Sequence, residues 1–367
     1  MSAATMHDAA VLHGAQDLRI ELVKTPTLLP HEVAILPCAT GLCGTDIHYY
    51  ENGRNGMFVI DLPLILGHEA AGKILEVGSS VTTFKAGDRV VFEPQRPCGA
   101  CCECRHGTYN LCPTLKFTGS ASAKPPVQGS LQSVYQHPAS FVFPIPDSIS
   151  YREAALIEPL SVSLHAVQRA GLHAGQSVLV LGAGPIGLLC AIIARISGAA
   201  TIGMVDVQQS RLEFAMRHGY ADYIVEVPVS PEEGEKKTDF AARIANETLR
   251  LHPSFKPVNV AFECTGVDVC ANLSIHSTAP RGKVVIVGMG AVHQALNVGL
   301  AAIREVDIIS VWRYANTFQT AIDLIASGNV NLAPLISHTF PLKDAKAAFE
   351  LLRSRPADLV KCIITSD

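Results

Sequence analysis

Four cysteines are spaced closely enough in this sequence to bind one metal ion. They follow the pattern Cys98-x2-Cys101-x2-Cys104-x7-Cys112. Structural zinc is held in a tetrahedron by four soft ligands, and a short loop with this spacing can supply all of them. Because four protein ligands leave no position for a substrate, the pattern predicts a structural zinc site, the alternative being four free thiols in a loop. Cys102 lies outside the pattern and is interpreted as a bystander.

A second set of candidate metal ligands is spread along the chain. Cys43 lies in Gly-Leu-Cys-Gly-Thr-Asp, His68 and Glu69 in Leu-Gly-His-Glu-Ala-Ala-Gly, and Glu158 in Ile-Glu-Pro-Leu-Ser. One thiolate, one imidazole and one or two carboxylates form a zinc site that keeps room for water or substrate. Spacing alone does not establish this site, since isolated His and Glu residues are common on protein surfaces.

A glycine-rich turn indicates a dinucleotide site. Gly182-Ala-Gly184-Pro-Ile-Gly187 follows a predicted strand and opens a predicted helix, so its N–H groups can approach a pyrophosphate. Asp206 ends the next predicted strand, where a carboxylate binds the adenosine ribose and repels a 2′-phosphate. The pattern therefore favours NAD over NADP, although Arg211 nearby could accept that phosphate. The alternatives are an ordinary strand–helix turn and, for Asp206, an ordinary residue at a strand end.

The surrounding pattern predicts two kinds of domain that would position these residues. Up to about residue 160, short strands are separated by turn residues, which is typical of an all-β, barrel-like domain. Strands then alternate with helical segments, which predicts a parallel, doubly wound sheet. After about residue 330 short strands return around one helix, and we expect this tail to rejoin the first domain. The predicted elements are strands 32–37, 72–77, 88–92, 141–144, 177–181, 202–205, 258–263, 283–287, 307–311, 337–340 and 359–365, and helices 188–197 and 342–353.

Length and composition agree with two domains of a globular enzyme. At roughly 150 residues per domain, 367 residues predict two: residues 1–160, completed by 311–367, and residues 161–310. The polar stretch 229–237 is interpreted as a surface excursion. A hydrophobic fraction of 48% excludes disorder, and a net charge of -4 provides no basic surface for nucleic acid. The apolar runs are too short to span a bilayer and no signal peptide is visible, so we expect a soluble, cytoplasmic enzyme.

Together these motifs resemble the zinc-dependent medium-chain dehydrogenases, and within them the polyol branch of sorbitol, xylitol and L-arabinitol dehydrogenases. The similarity extends over nearly the whole chain. It implies an α/β fold class, with a GroES-like β-barrel catalytic domain and a Rossmann NAD-binding domain. The segments that carry the resemblance are Cys-Gly-Thr-Asp-Ile-His-Tyr-Tyr (43–50), Leu-Gly-His-Glu-Ala-Ala-Gly (66–72), Ile-Glu-Pro-Leu-Ser-Val (157–162), Leu-Gly-Ala-Gly-Pro-Ile-Gly (181–187), Glu-Cys-Thr-Gly (263–266), Arg-Glu-Val-Asp (304–307) and Arg-Tyr-Ala-Asn-Thr (313–317).

The resemblance also implies a role for individual residues. Cys43, His68 and Glu69 match ligands of the catalytic zinc, and Glu158 reaches it through a water that also contacts substrate; whether Glu69 or Glu158 is the inner ligand stays open. Thr45 and His48 match a proton relay. The positions that match polyol contacts are Tyr49, Glu158, Arg313 and Tyr314. Those that match NAD contacts are Gly182, Gly184, Ile186, Gly187, Asp206, Arg211, Val287, Gly288, Met289, Val311, Trp312 and Arg313.

The implied activity is reversible, NAD-dependent oxidation of a secondary hydroxyl of xylitol, sorbitol or L-arabinitol to the ketose, by zinc-assisted hydride transfer in a homotetramer or dimer. The chain departs from the branch in a longer segment 118–124, in Ser133 where an arginine is usual, and in Trp312. Segment 118–124 and Trp312 favour an alternative, a dehydrogenase of another secondary alcohol. A non-catalytic NAD-binding or structural protein is a further alternative, which the complete set of zinc ligands opposes.

Overall fold

The computed structural model describes residues 5–366, except the side chain of Thr248, and it divides into two compact units. The first comprises Met1–Glu158 and Ala315–Asp367, and the second Pro159–Tyr314. No helix among the described residues is long and apolar enough to cross a membrane.

The first unit contains many short strands, and the second contains a set of parallel strands. In chain order the strands are β1 (Met6–Gly14), β2 (Asp17–Lys24), β3 (Glu32–Gly41), β4 (Arg54–Asn55), β5 (Phe58–Val59), β6 (Leu64–Ile65), β7 (Glu69–Val77), β8 (Arg89–Phe92), β9 (Gln95–Arg96), β10 (Lys116–Phe117), β11 (Tyr135–Pro138), β12 (Val142–Pro144), β13 (Ser177–Leu181), β14 (Thr201–Asp206), β15 (Tyr223–Glu226), β16 (Val258–Glu263), β17 (Thr278–Ile286), β18 (Asp307–Ser310), β19 (Ile336–Pro341) and β20 (Lys361–Thr365).

Helices occur in both units. They are α1 (Gly44–Asn52), α2 (Cys102–Arg105), α3 (Tyr151–Ala155), α4 (Ile157–Ala170), α5 (Pro185–Ile196), α6 (Gln209–Arg217), α7 (Lys237–Ile244), α8 (Asp268–Ser277), α9 (Val298–Ala302), α10 (Phe318–Ala326) and α11 (Ala345–Ser354). Single turns of 3₁₀ helix cover Tyr109–Leu111, Ala139–Phe141, Ala333–Leu335 and Leu342–Asp344, and a π turn covers Ala245–Leu249.

The first unit is built on a sheet that brings the end of the chain to its centre. The strand order is β12-β8-β7-β3-β20-β19, with β11 also paired to β3. Gly41 of β3 is opposite Glu69 of β7 on one side and Ile363 of β20 on the other. Lys361, two residues before Ile363, therefore comes close to Glu69. One face of this sheet packs a core that includes Ile35, Ile74, Phe92 and Tyr135.

Helix α1 is one of several elements of the first unit that the sequence pattern did not predict; β1, β2 and α10 are others. Helix α1 has only nine residues, too few for a clear helical period, and buries Ile47, Tyr49 and Tyr50. Its first turn is capped by Asp46, whose carboxylate accepts the N–H of Cys43 at 2.9 Å. It ends at Gly53, which has a left-handed backbone with φ of 64°. The hydrogen bond to Asp46 fixes Cys43 at the N-terminus of the helix.

The second unit has a six-stranded parallel sheet in the order β15-β14-β13-β16-β17-β18. This agrees with the predicted doubly wound fold, and the predicted surface excursion at 229–237 is an exposed connection between β15 and α7. The glycine-rich turn joins β13 to α5. Gly182 has φ of +99°, and a side chain at Gly187 would collide with the carbonyl oxygen of Gly182. Two glycines of the motif are thus required by backbone geometry and close packing.

Candidate active site

Cys43, His68 and Glu69 converge in the first unit. Cys43 immediately precedes α1, Glu69 is the first residue of β7, and His68 immediately precedes that strand. Their ligand atoms all lie within 4.8 Å of one another. His68 and Glu69 are buried and Cys43 is half-buried. The segments that begin α1 and β7 are distant in sequence, yet their side chains form one cluster of donor atoms.

Asp46 orients this cluster and was not recognised as functional from the sequence, although it belongs to the Gly-Thr-Asp motif. Its buried carboxylate accepts the N–H groups of Cys43 at 2.9 Å and Gly67 at 3.1 Å. Its Oδ1 lies 3.6 Å from Nδ1 of His68. Burial alone lowers the pKa of His68, but Asp46 and the Cys43 thiol outweigh it and raise that pKa well above its ordinary value. A metal ion at this imidazole would compete with a proton for the same nitrogen atoms.

Lys361 is the second functional residue that the sequence did not reveal. Its ammonium group contacts Oε2 of Glu69, and both side chains are buried. Burial alone lowers the pKa of Lys361, but the negative charges of Glu69 and Cys43 raise it above its ordinary value. Gly41 faces the pair so closely that a Cβ there would collide with Glu69. The Lys361 ammonium group thus offsets negative charge in the cluster of Cys43, His68 and Glu69.

The donor atoms fit a zinc ion. Nδ1 of His68 is buried and has no hydrogen-bond partner at normal distance among the described groups, since Oδ1 of Asp46 lies 3.6 Å away. Buried polar atoms of this kind are costly unless a ligand satisfies them. A thiol, an imidazole and a carboxylate are the donors that zinc accepts in sites with an open position.

The other predicted active-site residues of the first unit differ in exposure. Glu158 is buried in the first turn of α4 and is not one of the three converging ligands. Thr45 is half-buried and His48 is exposed, both on α1. Tyr49 is fully buried, and its hydroxyl accepts the Ala121 N–H at 3.0 Å and lies 3.2 Å from Oγ of Ser120. Segment 118–124 therefore covers Tyr49.

Glu93 is a buried carboxyl group that the sequence did not single out. It accepts hydrogen bonds from Nε2 of Gln95 at 2.9 Å and from the Tyr109 hydroxyl at 3.1 Å. Burial raises its pKa to about 7, and the negative charge of Glu158 acts in the same direction. Glu93 thus holds Tyr109, which lies between Cys104 and Cys112.

The four-cysteine loop, residues 97–115, brings its predicted ligands together. The sulfur atoms of Cys98, Cys101, Cys104 and Cys112 all lie within 4.8 Å of one another. The N–H groups of Ala100 and Cys101 point at Sγ of Cys98 at 3.5 and 3.3 Å and lower the pKa of this thiol to about 6. Such N–H donors stabilise thiolates, the form that binds zinc. Cys102 is not in the group; its Sγ lies 3.3 Å from Nδ1 of His106.

In the second unit, Asp206 is held at the glycine-rich turn. Its Oδ2 accepts the N–H of Ala183 at 2.6 Å, and its Oδ1 accepts the N–H of Gln208 at 2.9 Å. Nε of Arg211 on α6 is buried and has no hydrogen-bond partner among the described groups. The turn and the carboxylate thus meet at one end of the parallel sheet, where folds of this class bind nucleotides, and Arg211 lies on the helix that follows.

The remaining predicted cofactor and substrate positions of the second unit lie at the same ends of neighbouring strands. Val287 and Gly288 follow β17, and both donate N–H groups to the Glu263 carbonyl, at 2.8 and 2.9 Å. Met289 is exposed, and Ile186, Val311 and Trp312 are half-buried. The guanidinium of Arg313 stacks 4.7 Å from the centre of the Trp312 ring. Tyr314 is fully buried.

Comparison with known proteins identifies the family. The model of the alcohol dehydrogenase GroES-like domain matches residues 29–147, and that of the zinc-binding dehydrogenases matches residues 185–327. The chain belongs to the zinc-dependent medium-chain dehydrogenases. This confirms the predicted GroES-like and Rossmann classes and the predicted use of zinc and a nicotinamide dinucleotide by an oxidoreductase.

Sequence relatives assign this dehydrogenase to the polyol branch. Sorbitol dehydrogenase from Gallus gallus is 42% identical over 350 residues, covering 95% of this chain and 94% of that protein. The enzyme of the same name from Homo sapiens is 41% identical over 344 residues, covering 94% and 92%.

Solved structures with the same fold include other dehydrogenases. The 2R,3R-butanediol dehydrogenase from Bacillus subtilis has a TM-score of 0.83 at 30% identity, covering 98% of this dehydrogenase and 100% of that chain. The L-idonate 5-dehydrogenase from Escherichia coli has a TM-score of 0.86 at 26% identity, covering 99% of each.

Proposed function

We propose that this dehydrogenase catalyses the reversible, NAD-dependent oxidation of a secondary hydroxyl of a polyol such as sorbitol, xylitol or L-arabinitol to the ketose. The observation that carries the proposal is the convergence of Cys43, His68 and Glu69 in a buried pocket. Identity of about two in five residues to sorbitol dehydrogenases over nearly the whole chain supports the substrate class.

Cys43, His68 and Glu69 are the proposed ligands of the catalytic zinc. Glu69 is favoured over Glu158 as the inner carboxylate, because its oxygen belongs to the converging group. Zinc bound there supplies Lewis acidity that lowers the pKa of a substrate hydroxyl, and NAD supplies the hydride acceptor. Asp46 accepts the backbone N–H groups of Cys43 and Gly67 and so helps to preorganise the segments that carry Cys43 and His68.

Glu158 and the α1 pair Thr45 and His48 are the proposed proton acceptors. Glu158 is buried, so a proton taken up there is shielded from bulk water. His48 is exposed on α1 and can pass a proton to solvent, while Thr45 is half-buried near the start of the same helix. The proton therefore leaves either through the water bound to Glu158 or through the relay of Thr45 and His48.

The NAD and polyol contacts follow the positions described above. Asp206 accepts hydrogen bonds from the ribose hydroxyls and disfavours a 2′-phosphate, while the glycine-rich turn and Ile186 approach the pyrophosphate. The remaining NAD contacts are Arg211, Val287, Gly288, Met289, Val311, Trp312 and Arg313. Tyr49, Arg313 and Tyr314 contact the polyol. For Tyr49 this requires its hydroxyl to exchange Ser120 or Ala121 for a substrate hydroxyl.

Assembly, location and domain boundaries complete the proposal. By analogy with its branch, the enzyme forms a homotetramer or dimer in the cytoplasm, with a catalytic domain of residues 1–160 and 311–367. A monomer in light scattering would exclude the assembly.

A second candidate is a dehydrogenase of a shorter secondary alcohol or vicinal diol. The specific observation is segment 118–124, which covers Tyr49 and engages its hydroxyl. A panel of polyols, vicinal diols and simple alcohols, assayed by NADH formation with the zinc-loaded enzyme, decides between the two. Activity on sorbitol or xylitol well above that on butanediol supports the polyol assignment. The reverse ranking supports the alternative, and Glu158→Gln should abolish either activity.

A further inference from the structure

The four-cysteine loop makes two hydrogen bonds to a single residue far along the chain. Nδ2 of Asn316 donates to the carbonyl oxygen of Gly107 at 2.8 Å, and the N–H of Asn316 donates to the hydroxyl of Tyr109 at 2.8 Å. Gly107 and Tyr109 both lie between the metal-ligand positions Cys104 and Cys112. All of these residues belong to the first unit. The loop thus binds the side chain and the backbone of Asn316 at once.

Asn316 has a backbone conformation that needs such support. Its φ is 58°, in the left-handed region that residues other than glycine seldom adopt. Asparagine tolerates this region better than most residues, yet the conformation persists only where neighbouring contacts hold it. The two hydrogen bonds from the loop are such contacts.

The loop residue that binds the Asn316 backbone is itself fixed to the barrel. The Tyr109 hydroxyl donates to Oε2 of Glu93 at 3.1 Å while it accepts from Asn316. Its ring packs edge-on against Phe141, with centroids 6.2 Å apart. Asn316 is therefore connected to the barrel through Tyr109, and to the loop itself through Gly107.

Asn316 follows Arg313 and Tyr314 closely along the chain. Arg313 also has a left-handed backbone, with φ of 51°. Because the backbone conformation of one residue affects that of its near neighbours, fixing Asn316 limits the backbone conformations open to Arg313 and Tyr314. We propose that Asn316 is a positioning residue, through which the four-cysteine loop holds the segment 313–317 in its substrate-binding conformation. The proposal rests on the proposed function, which assigns substrate contact to Arg313 and Tyr314.

A consequence is that the structural metal site and substrate binding are coupled. Metal in the loop fixes Gly107 and Tyr109, and these fix Asn316. Thermodynamic linkage then requires that order in one segment favours order in the other. The loop is therefore proposed to position residues 313–317 in addition to stabilising the protein as a whole. Loss of the loop metal should then increase the mobility of residues 313–317.

Hydrogen exchange of the full-length, zinc-loaded protein tests the coupling without any assay of turnover. Cys98→Ser removes one loop ligand and should raise amide exchange in residues 313–317 as well as in the loop, whereas Cys102→Ser should raise neither. Asn316→Gly keeps the left-handed backbone accessible and removes only the bond to Gly107. In that background Cys98→Ser should add a smaller increase at 313–317 than it does alone. Unchanged exchange at 313–317 in Cys98→Ser would overturn the proposal.

Steady-state kinetics test the consequence for substrate. Asn316→Gly should raise KM for the polyol about two- to tenfold, the range expected for one lost hydrogen bond, with little change in kcat. The Kd for NADH should rise less than KM, because Arg313 is the only residue of the segment 313–317 that is also a proposed NAD contact. Asn329→Gly, a matched exposed site, should change none of these. Equal losses in kcat, NADH binding and thermal stability would mark Asn316 as merely structural. If the wild-type enzyme oxidises no polyol, the proposed function fails, while the exchange experiment still decides the coupling.

Discussion

The ammonium group of Lys361 lies against the carboxylate of Glu69, and both side chains are almost completely shielded from solvent. The pair forms because β20, at the end of the chain, adds to the sheet beside β3, directly across from β7. Breaking a buried ion pair by removing one partner usually costs about 3–5 kcal/mol, since the other charge is left uncompensated. Lys361 therefore makes the anionic donor set tolerable before a metal ion is bound.

Replacing Lys361 by methionine should destabilise the metal-free protein more than the zinc-loaded one. In the metal-free form Glu69 loses its counter-charge, and the free energy of unfolding should fall by about 3–5 kcal/mol. In the loaded form the zinc ion supplies positive charge instead. Urea unfolding with and without chelator measures both values, and the exposed Lys343→Met is the control. Equal losses in the two forms would show that the ammonium group does not balance the metal site.

The stability of the protein should depend on Glu93 between pH 4.5 and 7. The pKa of this carboxyl is about 7 in the fold and 4.5 ordinarily, so the folded state binds the proton more tightly. Protonated Glu93 therefore contributes its full share to the free energy of unfolding below pH 4.5. This contribution is lost as the pH rises from 4.5 through about 7. Glu93→Gln, which stays neutral, should remove this loss and gain up to about 3 kcal/mol relative to wild type at pH 8.

Urea unfolding of Glu93→Gln and wild type across this pH range is the measurement. The exposed Glu76→Gln should leave the pH dependence of wild type unchanged. Parallel curves for wild type and Glu93→Gln would mean that Glu93 titrates as an ordinary surface carboxyl.

Asp206→Ala should narrow the preference for NAD over NADP. The carboxylate is the proposed ribose acceptor, and its loss should weaken NAD binding about tenfold or more while NADP loses less. Titration of NADH and NADPH by fluorescence gives both Kd values. Glu213→Ala on the exposed face of α6 is the control. An unchanged ratio of the two Kd values would remove Asp206 as the specificity residue.

Cys98→Ser should lower the zinc content from two ions to one per chain. Cys102→Ser, in the same loop but outside the sulfur cluster, should leave two. Elemental analysis of metal-saturated protein counts the ions, and a thermal scan should show a lower Tm only for Cys98→Ser, because metal binding is coupled to folding of the loop. Retention of two ions in Cys98→Ser would argue against the four-cysteine site.

The sequence predicted a site best where all of its residues lie close together in the chain. The spacing of Cys98 to Cys112 and the glycine turn at Gly182 are local, so the cysteine cluster and the strand–turn–helix unit followed directly. Lys361 was missed because its partner Glu69 is remote in sequence and only the pairing of β20 with β3 joins them. A buried lysine has no signature in a single sequence. Likewise, the covering of Tyr49 by Ser120 and Ala121 depends on a loop conformation that residue type does not determine.

The four-cysteine loop leaves and re-enters the barrel at one point, because Gln95 pairs with Phe117 and Arg96 with Lys116. The loop is thus an insertion closed at its base by a two-stranded ribbon. A deletion that joins Arg96 to Lys116 by a tight turn would keep the register of both strands. The metal-binding loop can therefore be gained, lost or exchanged as one piece without rebuilding the barrel. Its loss would remove the two hydrogen bonds that Asn316 makes to Gly107 and Tyr109.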